Sequence, residues 1–239
     1  MFSEILKDTS KNGQSRPWKQ KKLANLTYAN YLEVLNFKKA HNVSTCGNIL
    51  QFVKTEDGLK LYQTWFCHSR LCPLCSWRRS IKNSYEMRVI LSEAYKKQPH
   101  AEFLFLTLTE ESSELGQLRK NLTEMNSSIR RLFQYKEVKR DILGYIRSTE
   151  ITVNRQKMTF HQHVHILLMV KSTYFKLGHY LTQKRWSELW ERARKLDYLP
   201  VVNIKKIRKS YKDSSLVASA KEVAKYQVKD FDYLSDDEN

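Results

Sequence analysis

The chain has 239 residues, and its 42 Lys and Arg against 25 Asp and Glu leave a formal charge of +17. So large a cationic excess points to a polyanion, with nucleic acid the default partner and a membrane surface the other. No apolar run approaches the ~18 residues that a spanning helix needs, and residues 1–8 lack a signal-peptide core, so the expectation is a cytosolic protein with no membrane partner.

The opening segment around Arg16, Pro17, Trp18 and Lys19 reads as a basic aromatic arm, followed by a helix over residues 28–35. In a reducing compartment, four cysteines suggest metal binding rather than disulfides. Cys67, Cys72 and Cys75 are spaced C-x4-C-x2-C, with Pro73 in the tight turn between the last two. Residues 49–54 and 60–66 read as a hairpin turning at Thr55-Glu56-Asp57-Gly58. That hairpin would return Cys46 to the other three and complete a four-thiolate tetrahedron of the structural zinc (Zn2+) type. His68 is the alternative fourth ligand, and a set of small buried thiols without metal is the plainer alternative.

Residues 76–96 read as a helix with Ile81, Tyr85 and Val89 at helical spacing and a strongly basic start at Trp77-Arg78-Arg79. Residues 103–109 read as a buried strand, with Thr107 and Thr109 on the side of Phe103 and Phe105. Amphipathic helices follow over 115–133 and 174–196, the second carrying Trp186 and Trp190 as core residues rather than base-stacking platforms. Residues 143–153 form a strand, Asn154-Arg155-Gln156-Lys157 its turn, and 160–170 the returning strand of an antiparallel hairpin. Residues 200–207 add a further strand. The mixed order favours an α+β domain on a mainly antiparallel sheet.

The returning strand carries His161, His163 and His165 at every second position and then turns wholly apolar. Alternate strand residues project to one face, so the three imidazoles share it. Glu150 lies in the preceding strand among apolar and hydroxyl neighbours, where an unpaired carboxylate is costly. Glu150 with His163 and His165 makes a two-histidine, one-carboxylate shell with open positions, suited to Mn2+ or Mg2+ acting on phosphate oxygens. His161 is either a fourth ligand or a rim residue. The competing readings are a histidine-rich strand without metal, and Glu150 as an exposed partner of a lysine.

A last helix over 216–228 places Val217, Ala220, Ala224 and Val228 on one stripe and Glu222, Tyr226 and Lys229 opposite. A tyrosine hydroxyl can attack a phosphodiester, a nearby cation can polarise the phosphate, and a lysine can stabilise the charge that develops. Taken alone, this trio reads better as a solvated helix face.

Together the pieces resemble a known family. The strand Phe105-Leu106-Thr107-Leu108-Thr109, the His163-Val164-His165 pair with apolar residues after it, and Tyr226-Gln227-Val228-Lys229 occur in the order seen in HUH endonucleases. The cysteine segment 66–75 with Trp77-Arg78-Arg79, the stretch Glu150 to Asn154, and Glu222 four residues before Tyr226 make the chain similar to the rolling-circle replication initiator (Rep) proteins of small bacterial plasmids. The likeness spans residues 46–229. It departs at Gln162, where the motif usually carries a proline or another residue, and His161 adds a ring whose role the family leaves open.

The resemblance implies a five-stranded antiparallel sheet and a bacterial cytoplasmic enzyme. It would recognise the double-strand origin DNA of a plasmid, expose a single-stranded hairpin segment, and nick it with Tyr226. The 5′ phosphate would remain on the tyrosine and the 3′ hydroxyl would prime synthesis, with a host helicase as a further candidate partner. Glu222 would activate water for the terminating cleavage, and Glu150 would be the third metal ligand. The expected organisation is a basic arm and helix over 1–40, a zinc-binding hairpin and helix over 41–98, the HUH core over 99–232, and an acidic, solvent-facing tail over 233–239. A relaxase or transposase of the same chemistry is disfavoured by the cysteines and Glu222. A zinc-stabilised DNA-binding regulator without catalysis is the remaining alternative. Arg78, Arg79, Arg130, Arg131, Lys205, Lys206 and Arg208 are candidate phosphate contacts, although for any single one a solvated surface charge is the better reading.

Overall fold

The computed structural model describes residues 8–9, 13, 15–56 and 58–207. The expected terminal helix with Glu222, Tyr226 and Lys229, the acidic tail and Arg208 lie outside the described residues. The described chain divides into two units, one up to Ile81 and one from Lys82 onward, and the division falls inside a helix. No helix among the described residues is long and apolar enough to cross a membrane.

The first unit contains α1 (Trp18–Val34), α2 (Ala40–Thr45), the two-stranded hairpin β1 (Gln51–Thr55) and β2 (Gly58–Gln63), and the start of α3 (Pro73–Lys97). Helix α1 begins ten residues earlier than apolar periodicity suggests. Its buried face is Lys21, Asn25, Ala29 and Leu32, and two polar members of that stripe hide it from a hydrophobicity pattern. Asn25 is wholly buried because its Oδ1 accepts the Leu74 backbone N–H at 2.9 Å, tying α1 to the start of α3. Around this point pack Ala29, Leu32, Ala40, Val43 and Leu74 with the cysteines. Trp18 meets Trp77 edge-on at 4.9 Å, and the Arg78 guanidinium stacks over Phe66 at 4.5 Å. Arg78 thus packs against an aromatic ring rather than standing as a freely solvated charge, and burial pulls its pKa below the usual arginine value.

The second unit is built on a five-stranded antiparallel sheet. Its strands are β3 (Glu102–Thr109), β4 (Ser113–Glu114), β5 (Ile142–Asn154), β6 (Thr159–Val170) and β7 (Val202–Lys206), and its helices α4 (Leu118–Leu132), α5 (Lys136–Lys139) and α6 (Gln183–Arg194). Strand β6 is central. It pairs with β5 along one edge and with β3, then β4, along the other, and β7 lies beyond β3. The sheet and the β5–β6 hairpin agree with the expectation from sequence.

Strand alternation gives the sheet two different faces. Leu104, Leu106, Leu108, Val164, Ile166 and Leu168 point to a core completed by Met125, Ile129 and Leu132 of α4 and by Trp186, Leu189 and Trp190 of α6. Both tryptophans are fully buried, as expected. The Trp190 indole N–H donates to the Thr109 carbonyl at 2.9 Å, and that of Trp186 to the Tyr174 hydroxyl at 3.1 Å. On the opposite face, Phe103, Leu167 and Met169 pack with Met87 and Leu91 of α3.

One helix expectation is corrected and one is observed with a different buried face. Residues 174–196 are not one helix: Ser172–Phe175 is a 3-10 turn, Gly178 takes a left-handed φ of 77°, and α6 starts only where the Thr182 side chain accepts the Arg185 N–H at 3.1 Å. In α3 the Ile81, Tyr85 and Val89 stripe is exposed, and the buried stripe is Met87 and Leu91.

Candidate active site

The histidine strand is placed by a tight turn and a long register. Beyond Asn154, whose Oδ1 accepts the Lys157 N–H at 3.0 Å, Met158 adopts a left-handed φ of 51°, and the chain returns as β6. Glu150 then stands across from His163, Ser148 from His165, and Thr152 from His161. On the β3 side, Thr107 faces His165 and Thr109 faces His163. The three imidazoles therefore share a face with Glu150, Thr107 and Thr109, at the end where the apolar packing of Phe105 and Leu167 stops.

Within this cluster the His163 and His165 rings stack with centroids 6.2 Å apart, and His161 meets His163 edge-on at 4.2 Å. His165 Nε2 lies 2.9 Å from Glu150 Oε2, and His165 Nδ1 lies 3.2 Å from the Thr107 hydroxyl. A hydroxyl both donates and accepts, so Thr107 can support either tautomer of His165. Glu150 is 8% exposed and His165 7%, so Glu150 is no surface partner of a lysine. One carboxylate and two or three imidazoles on a central strand form a donor set that fits a divalent cation with open positions. Glu150, His163 and His165 thus share one face, with Glu150 in contact with His165, the His163 ring 6.2 Å from that of His165 and His161 at the outer end, but the ligand atoms of the three do not all lie within 4.8 Å of one another.

The cysteines are gathered more tightly. Among the described residues, Cys46, Cys67, Cys72 and Cys75 are the only group of three or more His, Cys, Asp or Glu whose ligand atoms all lie within 4.8 Å of one another. Cys75 Sγ is 3.5 Å from Cys46 Sγ and 3.7 Å from Cys67 Sγ. These separations are too long for a disulfide and close to the ~3.8 Å edge of a tetrahedron with 2.3 Å metal–sulfur bonds. Cys46, not His68, is the fourth member.

Hydrogen bonds knit the cluster together. The Cys67 and Cys75 backbone N–H groups point to the sulfurs of Cys46 and Cys72, both at 3.4 Å. Hydrogen bonds from Cys46 and Cys72 hold the Cys75 thiol well below the usual cysteine range, whereas sharing with Cys46 and Cys75 and burial push Cys72 up. Without a cation, then, one thiolate is favoured at the expense of the others; a dication removes that competition. Gly47 follows Cys46 at φ 64°, where a Cβ would sit 2.5 Å from Leu74 Cδ2, so only glycine fits there without strain.

With this geometry in hand, comparison with known proteins is decisive. A family model described as a replication protein matches residues 58–239. The chain belongs to this replication protein family, the rolling-circle plasmid initiators of the HUH superfamily. It is 52% identical over 242 residues to a protein named "Protein rep" from Lentilactobacillus hilgardii, covering all of this chain and 77% of that protein. A "Protein rep" from Streptococcus pneumoniae serotype 2 (strain D39 / NCTC 7466) is 40% identical over 231 residues, covering 95% of this chain and 72% of its own length. A Staphylococcus aureus "Protein rep" is 34% identical over 195 residues, 80% of this chain and 82% of its own. No solved structure matches.

Behind the histidines, this replication protein carries a buried polar network that sequence reading missed. The β3–β4 edge breaks after Thr109 and resumes at Ser113, leaving residues 110–112 beside His161 and Gln162 without ladder pairs. Gln162 projects to the core face and is fully buried. Its amide donates to Glu110 Oε1 and to Ser113 Oγ, both at 2.6 Å. Arg194 closes the network, donating to Glu110 Oε2 at 2.5 Å and to Glu124 at 3.2 Å. These side-chain bonds tie residues 110–113 to β6, α4 and α6 next to His161. The signal in the sequence was Gln162 itself, a polar residue on a strand face otherwise made of Val164, Ile166 and Leu168.

Proposed function

We propose that the chain initiates rolling-circle replication by nicking single-stranded DNA at the double-strand origin of a plasmid, with Tyr226 as nucleophile. The observation that carries this reading is the set Glu150, His163 and His165 on one face of the sheet across the β5–β6 pair, backed by Thr107. Mn2+ or Mg2+ held by these residues, with His161 beside them, would polarise the scissile phosphate and make it a better electrophile for a phenol that is mostly protonated at neutral pH.

The chain's own groups then divide the work. The Tyr226 oxygen loses its proton and attacks phosphorus, a Tyr–O–P bond forms to the 5′ phosphate, the P–O3′ bond breaks, and the departing 3′ oxygen takes up a proton to leave a 3′ hydroxyl as primer. Lys229 stabilises the negative charge that develops on the phosphoryl oxygens. Glu222, one helical turn from Tyr226, acts as general base for the water that hydrolyses the linkage at termination; attack by a 3′ hydroxyl instead rejoins the strand. The four cysteines hold Zn2+ as a structural centre. The expected partners are origin DNA, its extruded hairpin and a host helicase.

The test is incubation with origin-type single-stranded DNA and Mn2+. A slow-migrating covalent protein–DNA adduct is expected, and Tyr226→Phe abolishes it. A wild-type protein that shifts DNA but never forms an adduct would instead support a non-catalytic regulator.

A further inference from the structure

We infer that a groove on the first unit is a second DNA site, one that takes an unpaired stretch of strand by stacking a base on Phe37. This deepens the proposed function and rests on its single-stranded substrate. The groove, about 670 Å³, runs between the turn joining α1 to α2 and the loop from Cys67 to Cys72. Its rim carries Lys38, Lys39 and Arg70, and among the described residues no carboxylate lines it. Its floor is apolar: Phe37 is 50% exposed, Leu35 66% and Leu71 38%. Exposing such residues side by side has a cost in water that a ligand face would relieve.

Both walls are held in place before any ligand arrives. The Phe37 N–H donates to Leu32 O at 2.8 Å, and Phe37 O accepts the Ala40 N–H at 3.0 Å, so the ring is presented from a fixed backbone. Across the groove, the Ser76 hydroxyl holds Arg70 O at 3.1 Å, and the Ser69 hydroxyl accepts the Leu71 N–H at 3.2 Å. The loop is further bracketed by Cys67 and Cys72 of the thiol cluster. Preorganised walls reduce the ordering cost of binding.

Charge and shape together select the occupant. A purely cationic rim asks for an anion. An apolar, aromatic floor asks for a ligand with an exposed flat face. A duplex presents phosphates but keeps its bases stacked inside, whereas an unpaired strand offers both at once. A stacked base beside neutralised phosphates matches the alternation of ring and cation found here.

The experiment uses the full chain loaded with zinc, with fluorescence anisotropy on labelled oligothymidylate and on a blunt duplex. Phe37→Leu and Arg70→Gln should each weaken oligothymidylate binding about tenfold and leave duplex binding unchanged. Phe37→Tyr, which keeps the ring, should bind as wild type, as should the exposed control Lys97→Ala. Arg70→Gln should also flatten the salt dependence by roughly 0.7 in log–log slope, the loss of one phosphate contact to a single strand. Zinc content and melting temperature confirm that each variant folds. Groove variants that bind oligothymidylate like wild type, lose duplex binding instead, or bind polyglutamate as tightly as DNA would overturn the inference. Adduct formation at saturating DNA is read in parallel. An adduct with groove-independent binding removes only the groove, and groove-dependent binding with no adduct removes only the nicking reaction.

Discussion

Glu150 stands opposite His163 in the β5–β6 ladder, yet its carboxylate reaches diagonally to His165 Nε2 at 2.9 Å. Glu150 thus stands across from one histidine and bonds the next, and Thr107 closes the far side of His165 at 3.2 Å. An outer partner of this kind orients a ligand ring and raises its basicity.

Thr107→Val therefore tests that relationship gently. It should reduce Mn2+ affinity, measured by calorimetry, about 10- to 100-fold while leaving the fold intact. Glu150→Gln removes the anionic oxygen itself and should cost more than Thr107→Val. Equal affinities for wild type and both variants would place the ion elsewhere.

Removing metal from the cysteine cluster should destabilise the first unit. Purified protein is expected to contain one Zn2+, and chelation should lower its melting temperature and release the packing around Leu74, followed by Trp18 and Trp77 fluorescence. Cys46→Ser should weaken zinc retention, whereas His68→Ala should not. Zinc-free protein with an unchanged melt would show that the thiols need no ion.

The network behind the histidines makes a stability prediction. Arg194 and Glu110 are both largely buried, with side chains 8% and 4% exposed, so Arg194→Ala leaves a buried carboxylate unpaired and should cost about 3–5 kcal/mol. Trp190→Ala should cost a similar 3–5 kcal/mol through the cavity it opens, and Trp190→Phe much less. Denaturant titrations give these values, and a change below about 1 kcal/mol for Arg194→Ala would contradict a structural role for the pair.

Asp141 predicts a pH dependence. Burial alone would raise its pKa, but hydrogen bonds from Thr173, Arg140 and His179 together hold the carboxyl below the ordinary value. A folded-state value below the unfolded one contributes stability that is full above the unfolded pKa of ~3.9 and is lost as pH falls through the lower folded value. Asp141→Asn should thus be less stable than wild type at pH 7, and the difference should shrink below about pH 4. Acid titration monitored by circular dichroism would show it, and a pH-independent difference would assign the effect to packing.

Some of this was legible in the sequence for physical reasons. The hairpin carrying Glu150 and the histidines declares itself by period-two alternation, a turn with Asn154, and a run of β-branched residues. The cysteine group followed from ligand spacing and the hairpin that returns Cys46. What stayed hidden depends on tertiary partners. Helix α1 buries Lys21 and Asn25, which no apolar pattern marks. The break before α6 comes from Gly178 and the Thr182 cap inside an otherwise helical composition. Arg194 and Glu110 are 84 residues apart, and nothing local pairs them.

The central claim is that the phenol of Tyr226 becomes joined to DNA under the influence of the ion held by Glu150, His163 and His165. Mass spectrometry of the trypsin-digested adduct tests it most directly, because cleavage after Lys225 and Lys229 isolates Tyr226-Gln227-Val228-Lys229. The account predicts the nucleotide on that tetrapeptide, formed only with Mn2+ or Mg2+ and lost in His163→Ala; a nucleotide on any other peptide would contradict it.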